Sequence, residues 1–74
     1  MRVTVKLFAS LQAGRFREEV LEVAGGTAVQ EIADRLGIPD PSIGIRLVNG
    51  RHARADQALC PGDSVSLFPP VGGG

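Results

Sequence analysis

The sequence holds one histidine, His52, and one cysteine, Cys60, so the side chains with the widest catalytic repertoire occur once each. His52 follows Arg51 and precedes Arg54, with no neighbour in sequence placed to orient it as a general base. It reads as an exposed hairpin side chain on a small basic rim. Cys60 precedes Pro61-Gly62-Asp63 in a turn, and the sequence places no cation or helix N-terminus beside it to activate the thiol. Glu18 and Glu19 are adjacent, so an extended strand points them to opposite faces and they form no local acid/base pair. The glycines of Ala24-Gly25-Gly26 lack the spacing of a nucleotide-binding loop. One histidine and one cysteine also fall short of a zinc site's usual three or four ligands unless carboxylates or a second chain contribute. No bound metal and no bound cofactor is expected, and no catalysis by the chain itself.

What remains is the segment Phe68-Pro69-Pro70-Val71-Gly72-Gly73-Gly74. Proline has no N–H to donate, so Pro69 and Pro70 end a sheet ladder and favour an extended, polyproline-like direction. Val71 to Gly74 then reach roughly 13 Å when extended. A segment almost without side chains can thread a narrow channel, and reacting groups can approach its main chain closely. The chemical group delivered in this way is the carboxylate of Gly74. The expected division is a folded domain over 1–68 and a flexible tail over 69–74.

Something must hold that tail, and 74 residues allow one domain. A chain of this size buries only about 60% of its unfolded surface. A single cysteine permits no internal disulfide, so apolar packing has to carry the fold. Eight basic and eight acidic side chains cancel, which argues against an electrostatic nucleic-acid binder. No apolar run nears the roughly 18 residues of a membrane span. One unpaired thiol and no visible secretory signal lead to the expectation of a cytoplasmic protein.

The pattern along the chain supplies the positioning elements. Val3, Val5 and Leu7 alternate with Arg2, Thr4 and Lys6, the period of a half-buried strand, and Phe8 falls on the face opposite Leu7. A glycine-containing turn follows, then a second strand with Glu19, Leu21 and Val23 on one face. Thr27 and Gln30 have capping-box spacing, ahead of a helical stripe of Val29, Ile32, Ala33 and Leu36. Gly37 and Pro39 stop that helix. Asn49-Gly50 marks a tight hairpin after a strand whose Ile45 and Leu47 are expected to face the core. Val65 and Leu67 point inward from a last strand. One helix must therefore cover a sheet of four or five strands, a two-layer α+β domain.

This order, ending in Gly73-Gly74, resembles the ubiquitin-like β-grasp fold. More narrowly, it resembles the MoaD/ThiS family of sulfur carriers. "VKLFASL", "TAVQEIADRLGI", "LVNG" and above all "PGDSVSLFPPVGGG" carry the likeness, and the last block is similar to the molybdopterin synthase small subunit. The resemblance implies a mixed sheet on one main helix with a protruding Gly-Gly tail. It implies that an ATP-using, ubiquitin-activating-enzyme-like adenylyltransferase (MoeB/ThiF-like) adenylates Gly74. A desulfurase or rhodanese-type protein then supplies sulfur, giving a thiocarboxylate. The acceptor would be a molybdopterin precursor held by a large, MoaE-like synthase subunit. By the same resemblance Val71, Gly72 and Gly73 thread the partner's active site, while Phe8, Phe68, Pro69 and Pro70 face the partner. Three other readings stay open: a ThiS-like carrier for thiamine thiazole, a modifier that joins Gly74 to lysines, and a plain ubiquitin-like interaction module.

Overall fold

The computed structural model describes residues 1–71. Five strands run β1 (Arg2–Leu7), β2 (Glu18–Glu22), β3 (Ile45–Val48), β4 (Arg51–His52) and β5 (Ser64–Phe68), with helix α1 (Val29–Arg35) between β2 and β3. Short 3-10 turns occupy Ala9–Gln12 and Asp40–Ser42. The sheet order is β2-β1-β5-β3-β4. β1 and β5 are parallel and the remaining pairs antiparallel, so the sheet is mixed.

Alternation along β1 and β5 decides which face is covered. Val3, Val5, Leu7, Val65 and Leu67 are each no more than 1% exposed and pack against Val29, Ile32 and Ala33 of α1. Leu11, Ile38, Ile43 and Leu59 close the core from the connections. Burying side chains of this size stabilises by about 1.5–3 kcal/mol each, and in a chain without a disulfide that packing carries the fold.

The third strand differs from expectation. In the β3–β5 ladder Val48 lies opposite Val65, and Arg46 opposite Leu67. Val48 is therefore the buried residue of β3, while Ile45 and Leu47 are half-buried on the other face of the sheet. Alternation within a four-residue strand leaves both phases open, and pairing with β5 selects one. Arg46 reaches the edge of the covered face, where its guanidinium pairs with the Asp40 carboxylate and donates 3.2 Å to the Gln30 amide oxygen.

Helix capping is also displaced from Thr27 and Gln30. α1 begins at Val29, and the Ala28 N–H donates to Glu31 Oε1 at 3.0 Å, while the Thr27 hydroxyl donates to the Ala24 carbonyl at 2.7 Å. The Val29 and Gln30 N–H groups donate to the carbonyls of Gln57 and Ala55, at 3.0 and 2.8 Å. A distant loop thus satisfies donors that local side chains were expected to take. The C-terminus follows the expected pattern. The Gly37 N–H donates to Asp34 and that of Ile38 to Ala33, with Gly37 at φ +71°, a Schellman arrangement.

Asn49 and Gly50 sit at φ +53° and +80°, as a two-residue hairpin requires. Asn49 also works beyond its own turn. Its amide donates to Asp63 Oδ1 at 2.9 Å, and its carbonyl oxygen accepts the Ser64 N–H at 2.9 Å. These bonds tie the hairpin to the start of β5 and hence to the strand that leads into the tail. No helix among the described residues is long and apolar enough to cross a membrane.

Candidate functional site

Among the described residues, no layer covers the face of the sheet away from α1. Parity places Thr4, Lys6 and Phe8 of the β1 segment on it, with Ser64, Ser66 and Phe68 from β5 and Ile45 and Leu47 from β3. Phe8 follows β1 in extended conformation, and its N–H donates to the Leu67 carbonyl at 3.1 Å, prolonging the parallel ladder by one residue. That register sets Phe8 beside Phe68. Their rings stack with centroids 4.2 Å apart and planes within 9°.

Ile45 is the register partner of Phe68, so the apolar patch continues onto β3. Leu47 lies opposite Ser66 on one side and His52 on the other. Phe8, Phe68, Ile45 and Leu47 are all half-buried. Polar residues surround them: Lys6, whose register partner on β2 is Glu18, together with Ser66 and the exposed His52. An apolar centre with a polar rim has the composition of a protein-docking surface.

Beyond Phe68 the chain does not leave the body at once. The Gly44 N–H donates to the Phe68 carbonyl at 2.8 Å. Pro69 is half-buried, and with Pro70 it lines a cleft formed with Leu11, Arg15, Ile38 and Pro39. Val71 is 87% exposed. Gly72, Gly73 and Gly74 lie outside the described residues.

The structure therefore brings Phe8 and Phe68 together on the open face, and sets Pro69 and Pro70, which follow Phe68 at the end of β5, into the cleft beside Leu11 and Ile38. His52 and Cys60 are exposed and line a depression with Asp63. Asp63 accepts the Cys60 N–H at 2.8 Å in addition to the Asn49 amide. The Cys60 N–H first, and then the Asn49 amide, hold its carboxyl below the usual carboxylate range. These bonds brace a turn and build no acid/base pair. Among the described residues, no group of three or more histidine, cysteine, aspartate or glutamate side chains is gathered for a metal.

Sequence reasoning missed Ile45 and Leu47 as members of the open face, and Gly44 as a contact of the tail root. A signal existed for Gly44: a glycine just before a strand often marks a close approach of another backbone.

The ThiS family model matches residues 5–74. No curated protein matches the sequence. Among solved structures, small archaeal modifier protein 1 of H. volcanii is 31% identical, with a TM-score of 0.76 over 95% of this chain and 98% of that one. A Pyrococcus furiosus protein described as molybdopterin converting factor subunit 1 is 30% identical, with a TM-score of 0.75 over 96% and 99%. Subunits 1 and 2 of the Helicobacter pylori molybdopterin-converting factor, solved as a complex, match at 21% identity, full coverage of both chains and a TM-score of 0.68, a likeness of fold. With the family model running from β1 to residue 74 on a β-grasp of one helix and five strands, the chain belongs to the ThiS family of ubiquitin-like sulfur carriers.

Proposed function

We propose that this protein is a sulfur carrier for molybdopterin synthesis, with Gly74 as the reacting end and residues 69–74 as the delivering tail. The family match through residue 74 carries the reading, and the apolar patch beside the tail root supports it. An activating enzyme docks on Phe8, Phe68 and the prolines. Val71, Gly72 and Gly73 enter its active site, and the Gly74 carboxylate attacks the α-phosphorus of ATP and expels pyrophosphate. The acyl-adenylate exchanges a poor leaving group for AMP. A persulfide of a desulfurase or rhodanese-type protein then displaces AMP, and a thiol cleaves the resulting acyl disulfide to leave the thiocarboxylate.

The carrier performs none of these steps with its own side chains; it supplies the acyl carbon and the docking surface. A large, MoaE-like subunit would hold the acceptor. The likeness to molybdopterin converting factor subunit 1 and the Phe68-Pro69-Pro70-Val71 segment favour this acceptor over thiamine thiazole.

A second reading rests on the likeness to small archaeal modifier protein 1. In it the same activated Gly74 acylates a lysine amine of another protein. Intact mass after incubation with the activating enzyme, ATP and a sulfur donor separates the two. Exchange of one oxygen for sulfur on free carrier is expected, whereas attachment to other proteins alone would favour the modifier. A chain lacking Gly73 and Gly74 should keep its melting temperature and lose both products. Cofactor synthesis supported by that truncated chain overturns the sulfur-carrier reading, and protein conjugates formed by it overturn the modifier reading.

A further inference from the structure

The tail root rests on a site where a side chain cannot fit. A Cβ at residue 44 would lie 2.6 Å from Pro70 Cα and 2.9 Å from both Pro69 O and Pro70 N. All three atoms are backbone, so no rotamer change relieves the overlap. Gly44 has no positive φ, so the demand for glycine here comes from space and not from backbone conformation. Its N–H holds the Phe68 carbonyl at 2.8 Å, the last hydrogen bond of the β3–β5 edge before the prolines.

Sheet parity gives the direction. Phe68 and Ile45 share the open face, so Gly44 and Pro69 have the parity of the covered face, like Arg46 and Leu67. The ring of Phe68 thus turns toward the docking patch, while the next two residues bend over Gly44 toward the cleft lined by Leu11, Ile38 and Pro39.

We propose that Gly44 is a positioning residue for the tail: by lacking a side chain it seats Pro69 and Pro70 and so fixes the line along which the following residues leave the body. This rests on the sulfur-carrier reading for its consequence, but the seat itself can be measured without a partner. The docking patch and the exit line are separate devices on one strand end. Phe8 and Phe68 set how well the carrier binds, and Gly44 sets the direction in which the chain continues from Pro70. A displaced reacting group lowers the rate of the bound complex more than its formation.

The experiment has two arms. In the free protein, proton NMR should show a strong cross-relaxation signal between a Gly44 Hα and the Hα or Hδ protons of Pro70; its absence overturns the proposal. In the second arm, ATP–pyrophosphate exchange by the cognate activating enzyme is measured for wild type, Gly44→Ala and Pro70→Gly. Gly44→Ala pushes the seat apart, and Pro70→Gly loosens it from the other side at an exposed position that threatens folding little. Both variants should lower kcat by about 10- to 100-fold, and in Gly44→Ala, which alters no docking residue, KM for the carrier should stay within about twofold. An unchanged kcat in both, or a rise in KM alone, overturns the positioning role. A wild-type chain that is not adenylated rejects the sulfur-carrier reading and with it the delivery role, and the NMR arm then decides the seat by itself.

Discussion

Phe8 and Phe68, 60 residues apart in the chain, lie ring on ring at 4.2 Å because the parallel β1–β5 ladder extends one residue past Leu7. The stack stands on the open face and contributes nothing to the core, whose members lie on the other side of the same strands. The apolar patch is therefore separable from the core. Phe8→Ala and Phe68→Ala should each leave the circular dichroism spectrum intact. Each should weaken binding to the activating enzyme by about 1–3 kcal/mol, the range for truncating an aromatic anchor. Titration calorimetry checks this, and unaltered affinity in both variants would refute the patch as the docking surface.

Strong acid should loosen the hairpin end. The Cys60 N–H and the Asn49 amide hold the Asp63 carboxyl below its ordinary value of 3.8. A depressed folded value means that the contribution of Asp63 is fully present above the ordinary value and is lost as pH falls through the folded one. Asp63→Asn should therefore lower the melting temperature at neutral pH and narrow its gap to wild type below about pH 4. A gap that stays constant from neutral to acid pH would show that the charge of Asp63 has no part in it.

Glu31 supplies the one side-chain oxygen that caps the start of α1 through Ala28, while loop carbonyls take Val29 and Gln30. Glu31→Ala should cost about 0.5–1 kcal/mol in urea unfolding, at the low end for a cap because the tertiary acceptors remain. A loss above about 2 kcal/mol would place the capping burden on the side chain and not on the 55–57 loop.

The sequence holds a single lysine, Lys6, which lies on the open face between Glu18 and Ser66; the other basic residues are arginines. In the modifier reading, an isopeptide bond between two copies of this chain forms at Lys6 and covers the docking patch of the acceptor copy. Lys6→Arg should then abolish chain-to-chain conjugates while leaving adenylation of Gly74 intact. Peptide mapping of any conjugates that persist would locate a different acceptor.

Much of this molecule was legible before any fold was known. Clean alternation in β1 and β5 gave both strands and their buried faces, and Asn49-Gly50 gave the hairpin, because each is a local preference with one geometric solution. The end of the ladder at Pro69 and Pro70 was legible for the same reason, since proline acts on its own backbone, whereas Gly72, Gly73 and Gly74 lie outside the described residues. Register was not legible. Ile45-Arg46-Leu47-Val48 alternates in either phase, and only the pairing of Val48 with Val65 sends Ile45 and Leu47 to the open face. The capping of α1 by Gln57 and Ala55, the Phe8–Phe68 stack and the seat of Pro70 on Gly44 share that cause. Each joins segments distant in the chain, and no local propensity encodes a distance between them. The sequence by itself determined the strands and the turn; tertiary packing decided which residues form the open face and where Pro69 and Pro70 rest.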